Sequence, residues 1–153
     1  MNRFMEQAIE LAAASVRAGG GPFAALVVKD GSVVATGVNQ VVRAHDPTAH
    51  AEIVAIREAC RALGDFQLTG CDVYASCEPC PMCLGALYWA RPARIFFAAT
   101  RDDAAAAGFD DALIYREILA PLPQRTIPTI HLPHDRAARP FEEWTAKPDK
   151  TRY

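Results

Sequence analysis

The sequence lacks any apolar run long enough to cross a lipid bilayer. Its longest apolar stretches, AALVV at 24–28 and RIFFAAT at 94–100, fall far short of the roughly 20 residues that a membrane-spanning helix needs. The first twenty residues are apolar at helical spacing, but Glu6 and Glu10 interrupt them, and no apolar core precedes a cleavage site. We therefore expect no membrane partner and a cytoplasmic protein.

The sequence also lacks an excess of basic charge. Sixteen Lys and Arg residues face eighteen Asp and Glu residues, which gives a formal net charge of −2 at pH 7. Proteins that hold nucleic acid usually present a basic field to the phosphate backbone. The charge balance weighs against a nucleic-acid partner, although it leaves room for a local basic patch.

The sequence has few cysteines, and their odd number, five, leads us to expect no complete set of disulfide bonds. A reducing cytosol would in any case keep the thiols reduced. Metal binding or burial is the better expectation for these side chains. The chain of 153 residues, 51% hydrophobic and 22% charged, is typical of one globular domain with its own core.

Helical and strand-like periods alternate along the chain. The spacing predicts helices over 2–17, 48–63, 80–90 and about 102–119, and strands at 72–76 and 94–99. Two apolar strands around Asp30-Gly31 form a predicted hairpin. We expect a three-layer α/β/α fold in which this hairpin enters a mostly parallel sheet, giving five strands of mixed direction flanked by helices.

The C-terminal part is rich in proline. From residue 121 onward the chain holds six of its eleven prolines, at 121, 123, 128, 133, 140 and 148. We expect an irregular arm over about 121–153 with one short strand near 126–131 and one short helix near 141–146. We find no repeat or linker, so residues 1–153 are predicted to form a single domain.

Two cysteines and a histidine form a pattern typical of zinc ligands. Cys80 and Cys83 lie at i and i+3 at the start of a predicted helix, where helix amides favour thiolates. His50 opens the preceding predicted helix and adds a neutral nitrogen. Three protein ligands leave the fourth tetrahedral position of Zn²⁺ to a water molecule, as in catalytic zinc sites.

Glu52 follows His50 by two residues, which turns it about 200° around a helix and away from the ligand position. A carboxylate beside zinc-bound water can take its proton and return it to a leaving group. We therefore predict that Glu52 is the general acid and base.

Other interpretations of these cysteines stay open. A lone C-x-x-C can be redox-active or can hold a structural metal. Cys77, Cys80, Cys83 and His50 could together close a structural Cys3His site. Cys77 ends a predicted strand, however, and burial as a small hydrophobic residue suits it better.

The pattern HAE (50–52) followed by PCPMC (79–83) matches the H-x-E and P-C-x-x-C signature of zinc-dependent nucleobase deaminases. The sequence resembles the cytidine-deaminase-like superfamily, and within it the bacterial guanine deaminases. The resemblance covers nearly the whole chain, through GGPFAALVVKDG, HDPTAHAEIVAIR, SCEPCPMCLGALYWARP, AGFDDALIYREI and RTIP. The family commonly has Asn where this chain has His45.

The resemblance implies a five-stranded sheet, zinc at His50, Cys80 and Cys83, and a catalytic glutamate at Glu52. It also implies a homodimer in which the C-terminal arm crosses to the neighbouring subunit and covers its active site, so that Tyr153 caps the site. The implied reaction is hydrolytic deamination of guanine, a small purine base, to xanthine and ammonia.

Further residues are expected to contact the base. By resemblance Asp111 accepts hydrogen bonds from the N–H face of guanine, while one of Asp110 and Asp111 caps a helix. Asn39 offers a donor and an acceptor to a purine edge, or is a plain strand-end residue. The backbone N–H groups near Ala51 and Cys80 are expected to stabilise developing charge. The aromatic residues expected to stack on the base are Phe23, Trp89 and Tyr153.

Three competing functions remain at this point. A tRNA adenosine deaminase shares both motifs but needs an electropositive face for its substrate. Deamination of cytosine, another free base or a nucleoside would use the same zinc chemistry. From a different class, a non-catalytic interaction module could hold zinc for structure alone.

Overall fold

The computed structural model describes residues 2–153. The elements follow in the order α1 (Arg3–Arg17), β1 (Ala24–Lys29), β2 (Ser32–Val38), α2 (Val41–Ala44), α3 (Ala51–Leu63), β3 (Cys71–Cys77), α4 (Pro81–Ala90), β4 (Arg94–Ala99), α5 (Arg101–Ala106), α6 (Ala112–Leu119), a 3₁₀ turn (Leu122–Gln124) and α7 (Arg139–Ala146). The chain divides into two compact units, the first ending at Ala112 and the second comprising Leu113–Tyr153.

The four strands form one mixed sheet in the order β2-β1-β3-β4. The β1–β2 hairpin turns at Asp30 and Gly31, whose φ angles of 48° and 73° suit the left-handed positions of a type I′ turn. β1 also pairs antiparallel with β3, whereas β3 and β4 run parallel and are joined through α4. The predicted hairpin is therefore confirmed.

Alternate residues of β1 face opposite sides of the sheet, as the two-residue period of a strand requires. Ala25 and Val27 pack in a cluster with residues of α3 and α4, while Leu26 and Val28 pack with Ala8 of α1. Helices therefore cover both faces of the sheet. The predicted α/β fold with a mixed sheet flanked by helices is confirmed.

Strand β2 and helix α3 approach each other so closely at Gly37 that no side chain would fit between them. An ideal Cβ built on Gly37 would lie 2.2 Å from the carbonyl oxygen of Ala51 and 2.5 Å from the backbone nitrogen of Ala55. Real Cβ atoms essentially never come this close to backbone atoms. Gly37 therefore sets the distance between the sheet and the first turns of α3.

Three details of the predicted architecture are wrong. The described residues contain four strands rather than five, because residues 126–131 form no strand. Pro128 lacks the N–H that a strand ladder needs. The sheet is not mostly parallel, since β1 lies between β2 and β3 and pairs antiparallel with both.

The third error is the predicted helix over 102–119, which is two helices. α5 starts with a capping box in which the Thr100 side chain accepts from the Asp103 N–H and the Asp103 carboxylate accepts from the Thr100 N–H. α5 ends before Gly108, whose φ of 91° is left-handed. Asp110 then accepts a hydrogen bond from the N–H of Ala112, the first residue of α6. The expectation that one of the two aspartates caps a helix is met by Asp110.

The second unit ends in a short folded hook. α7 confirms the helix predicted near 141–146. Beyond it, the Lys150 ammonium donates hydrogen bonds to the carbonyl oxygens of Thr145 and Lys147, which belong to the end of α7. The rings of Trp144 and Tyr153 lie edge to face with their centroids 6.4 Å apart.

Among residues 2–153, none of the helices combines the length and the apolar character that crossing a membrane would require.

Candidate metal centre and active site

His50 and Cys80 occupy equivalent positions in the fold. Each is the N-cap residue of a helix, with extended backbone (φ −65°, ψ 158° for His50; φ −63°, ψ 167° for Cys80). N-cap side chains usually accept a hydrogen bond from the helix. Neither of these side chains makes such a cap bond. Both are therefore available for another partner at the positive end of a helix dipole.

The two N-cap side chains meet Cys83, which lies in the first turn of α4. The ligand atoms of His50, Cys80 and Cys83 all lie within 4.8 Å of one another, and Cys80 Sγ is 3.5 Å from His50 Nδ1. Zinc bonds of about 2.0–2.3 Å in a tetrahedron place ligand atoms about 3.5–4 Å apart. The Cys80–His50 distance matches this spacing, and all three side chains offer donor atoms that zinc prefers in proteins.

The electrostatics of this cluster already favour one thiolate. The Cys83 thiol and the His50 ring both donate to Cys80 Sγ, with Cys83 the stronger influence, and they lower the pKa of Cys80 to about 4. The same hydrogen bond to Cys80, together with burial, raises the pKa of Cys83. The Cys80 thiolate also raises the pKa of His50. In the metal-free cluster, Cys83 and His50 therefore hold protons that a binding cation must displace.

Zinc binding to the metal-free protein is expected to release about one proton or more per ion near pH 7, because the Cys83 thiol must ionise to become a ligand. Since protons compete for Cys83 and His50, the affinity should fall as the pH is lowered from 8 to 6. Calorimetric titration in two buffers of different protonation enthalpy measures the proton count. Cys60→Ala, which changes a cysteine outside the cluster, is the control. A binding enthalpy independent of the buffer would contradict the expectation.

Glu52 lies in the first turn of α3 and is buried, with 8% of its surface exposed. Burial is the main cause that raises the pKa of its carboxyl, and the charge of Cys80 raises it further, whereas Cys83 and His50 act in the opposite direction. The group of metal-ligating atoms found within residues 2–153 does not include Glu52. A buried carboxyl of raised pKa beside a cation site is suited to taking and returning a proton.

Cys77 does not join the candidate metal ligands in the part of the chain that the structure describes. Its Sγ donates instead to the backbone carbonyl of Thr100 at 3.6 Å, and the side chain is buried at the end of β3. Burial raises its pKa, which disfavours the thiolate that a metal needs. The arrangement favours an open three-ligand site over a closed Cys3His site.

The loop between α5 and α6 brings aromatic and acidic side chains to the same part of the first unit. The ring of Phe109 contacts the ring of Phe23 edge to face, with 5.0 Å between the centroids. Two residues later, the pKa of Asp111 is raised mainly by burial, then by the charge of Cys80 and by that of Asp110. The structure therefore places Asp111 within electrostatic reach of the metal cluster.

The other expected contact residues lie in different surroundings. Ala51 is fully buried directly after His50. Trp89 lies on α4 with 66% of its surface exposed, so it is not a core residue of the described chain. Tyr153 belongs to the second unit, at the tip of the C-terminal hook, with 71% exposed. Asn39 follows β2, and its backbone N–H donates to the carbonyl of Phe23.

Sequence reasoning left two residues of this region without a role. Phe109 occurs in the quoted segment AGFDD, and its aromatic character beside two aspartates was the available signal. A Cβ added at Gly21 would lie only 3.3 Å from Asn39 Cγ, so residue 21 has little room for a side chain. In the sequence Gly21 is the third glycine of a GGG run, which reads as a helix stop.

Comparison with known proteins extends these observations. Residues 1–99 match the model of the cytidine and deoxycytidylate deaminase zinc-binding region. Guanine deaminase from Bacillus subtilis is 52% identical over 98% of this chain and 97% of that protein. The crystal structure of that enzyme covers 100% of this chain and 99% of its own, with a TM-score of 0.98.

More distant relatives match a shorter part of the chain. The structure of guanine deaminase from Nitrosomonas europaea is 37% identical, with a TM-score of 0.67, over 71% of this chain and 64% of that one. A tRNA-specific adenosine deaminase from Aquifex aeolicus is 41% identical over 63% of this chain and 64% of that protein. With its zinc-binding region matched over residues 1–99, the chain belongs to the cytidine and deoxycytidylate deaminase family of zinc-dependent proteins.

Proposed function

We propose that this protein is a zinc-dependent guanine deaminase that converts guanine and water to xanthine and ammonia. The observation that carries the proposal is the cluster of His50, Cys80 and Cys83 with the buried Glu52 beside it. The 52% identity to guanine deaminase from Bacillus subtilis over nearly the whole chain supports guanine as the substrate.

His50, Cys80 and Cys83 would hold one Zn²⁺ per chain, with a water molecule as the fourth ligand and the second reactant. Bound there, zinc supplies the Lewis acidity that makes water a nucleophile near neutral pH. Glu52 accepts the proton that this water loses, since its carboxyl lies beside the ligands and its pKa is raised. Glu52 gives this proton to the ring nitrogen next to C2 as the water oxygen bonds to C2. It then takes the second proton of that oxygen and passes it to the amine, whose bond to C2 breaks so that ammonia leaves.

The remaining residues bind the base and stabilise charge. The backbone N–H groups near Ala51 and Cys80 lie at two helix N-termini, where they favour the negative charge that develops during the reaction. Asp111 accepts hydrogen bonds from guanine N–H groups, and Asn39 bonds to another part of the purine edge. The aromatic rings that we propose stack on the base are those of Phe23, Trp89 and Tyr153.

We also propose a homodimer in which an arm over about 121–153 is exchanged between subunits of a single-domain chain, and Tyr153 caps the partner's site. The exposure of Tyr153 at the end of the arm, with 71% of its surface accessible, supports this. Sedimentation of the zinc-loaded protein should show a dimer. A cytoplasmic location is also proposed, since thiolate ligands persist in reducing surroundings.

The experiment that tests the function is ammonia release from guanine, adenine, cytosine, guanosine and cytidine by zinc-loaded protein. Release from guanine alone supports the proposal, whereas release from another base or nucleoside reassigns the substrate. Tight tRNA binding in a gel shift at moderate salt would favour a tRNA adenosine deaminase. Stoichiometric zinc without ammonia from any compound would leave a structural-zinc interaction module.

Phe109→Ala is expected to raise the KM for guanine about fivefold to tenfold with a smaller change in kcat, because one aromatic pair contributes about 1 kcal/mol. The Phe109 ring on Phe23 anchors the loop that carries Asp111. Steady-state kinetics measure the effect. Phe66→Ala is a matched control, since the exposed fractions of Phe66 and Phe109 are 50% and 47%. Equal KM values for the two variants would contradict the anchoring role.

A further inference from the structure

Two hydrogen bonds hold the backbone around Asn39 in place. The Asn39 N–H donates to the carbonyl of Phe23 at 3.1 Å, and the next residue, Gln40, donates to the carbonyl of Ala49 at 2.9 Å. Residue 39 is therefore fixed between the start of β1 and the segment that leads to His50. The position of its Cα is set by the fold rather than by a ligand.

The orientation of the Asn39 side chain follows from a third hydrogen bond. The N–H of Val41 donates to Asn39 Oδ1 at 3.2 Å, as in an Asx turn. A backbone N–H can only donate, so it requires the oxygen of the amide and not the nitrogen on this side. The Nδ2 group, which can only donate, is then the end of the amide that faces away from Val41.

Gly21 leaves room for the Asn39 side chain in this orientation. A Cβ at residue 21 would lie 3.3 Å from Asn39 Cγ, 3.4 Å from Oδ1 and 3.5 Å from the Asn39 Cβ. The φ angle of Gly21 lies outside the left-handed region, so backbone conformation does not demand glycine at this position. A larger residue at position 21 would instead press on the side chain of Asn39.

We propose that Gly21 is a positioning residue whose lack of a side chain leaves room for the Val41 N–H to hold the Asn39 amide, so that its NH₂ group is the one offered to the base. Residue 39 then recognises a hydrogen-bond acceptor on the purine, such as a carbonyl oxygen or an unprotonated ring nitrogen. The inference rests on the proposed function, because it takes the base as the ligand of Asn39.

Gly21→Ala is expected to raise the KM for guanine about fivefold or more, with kcat within about twofold, because a shift of a few tenths of an ångström weakens one hydrogen bond to the base. Zinc content and Tm should match the parent protein. Gly85→Ala is the control, since a Cβ at Gly85 meets nothing within 4 Å. In an Asn39→Ala background, Gly21→Ala should have no further effect on KM.

The direction of the hydrogen bond is tested by Asn39→Asp, which keeps an acceptor for the Val41 N–H but removes the NH₂ donor. We expect Asn39→Asp to raise KM at least as much as Asn39→Ala, about tenfold. The same order should appear in the dissociation constant of the guanine analogue 8-azaguanine, measured by calorimetry on zinc-loaded protein. This binding measurement does not depend on turnover.

Three results would overturn the inference while leaving the proposed function intact. They are an unchanged KM in Gly21→Ala, additive effects of Gly21→Ala and Asn39→Ala, and near-normal binding by Asn39→Asp. A fall in Tm or zinc content in Gly21→Ala without a KM change would show a structural role only. If the parent protein releases no ammonia from guanine and does not bind 8-azaguanine, the proposed function itself fails.

Discussion

Glu52→Gln is expected to lower kcat for guanine by about two to four orders of magnitude, the range that a positioned general acid and base contributes. Glutamine has nearly the same shape as glutamate, but it cannot take a proton from water or deliver one to the base. Because Glu52 is not among the candidate metal ligands, the variant should still bind one zinc ion. Ammonia release and metal analysis of the same preparation measure both quantities.

The fold of this variant should be preserved. Burial raises the pKa of Glu52 above its reference value of 4.5, so ionisation of this carboxyl disfavours the folded metal-free chain as the pH rises above about 4.5. Glutamine removes that cost. The metal-free variant should therefore melt at or above the temperature of the metal-free parent at pH 7, and the difference should vanish below pH 4. Near-normal turnover in Glu52→Gln would refute the assigned role.

Gly37→Ala is expected to be the most destabilising single methyl group that can be added to the sheet, at about 3 kcal/mol or more. The added Cβ would overlap backbone atoms of Ala51 and Ala55, which cannot rotate away as a flexible side chain could. Relief requires α3 to move away from β2. Because His50 and Glu52 flank Ala51, the same movement should also lower zinc affinity.

Thermal unfolding of the metal-free protein measures the first effect, and about 3 kcal/mol corresponds to a Tm roughly 10 °C lower for a chain of this size. Competition with a zinc chelator measures the second. Gly85→Ala again serves as the control, because it adds the same methyl group in open space. A Gly37→Ala protein with the parent's Tm would mean that α3 does not pack on β2 as described.

The sequence predicted well those elements whose signals are local. Strand β4 has the predicted bounds, and α3 ends at Gly64, whose φ of 65° gives the left-handed C-cap expected of a glycine after an apolar period. Two of the candidate ligands could be predicted for the same reason, because Cys80 and Cys83 lie three residues apart at a helix start, where short spacing implies closeness in space. His50 lies thirty residues earlier, and only the pairing of H-x-E with P-C-x-x-C indicated that it joins them.

What the sequence failed to predict depends on contacts between distant residues. Either strand of the hairpin could pair with β3, and this decides whether the pairing is parallel or antiparallel. The hydrophobic period of each strand does not show which of the two pairs. The break between α5 and α6 depends on Gly108 and on the cap supplied by Asp110. Gly21 and Gly37 read as turn or strand residues, and only the structure shows which atoms their missing side chains would strike.

The cluster of His50, Cys80 and Cys83 has a consequence for the lifetime of the protein. His50 and Cys80 belong to helices that follow different strands, so a zinc ion held by them would act as a cross-link closing a loop of about thirty residues. Binding that favours the folded chain opposes local opening of both helix starts at once. Removal of the ion should therefore expose the chain to proteases as well as stop the reaction, and metal supply would govern how long each molecule survives.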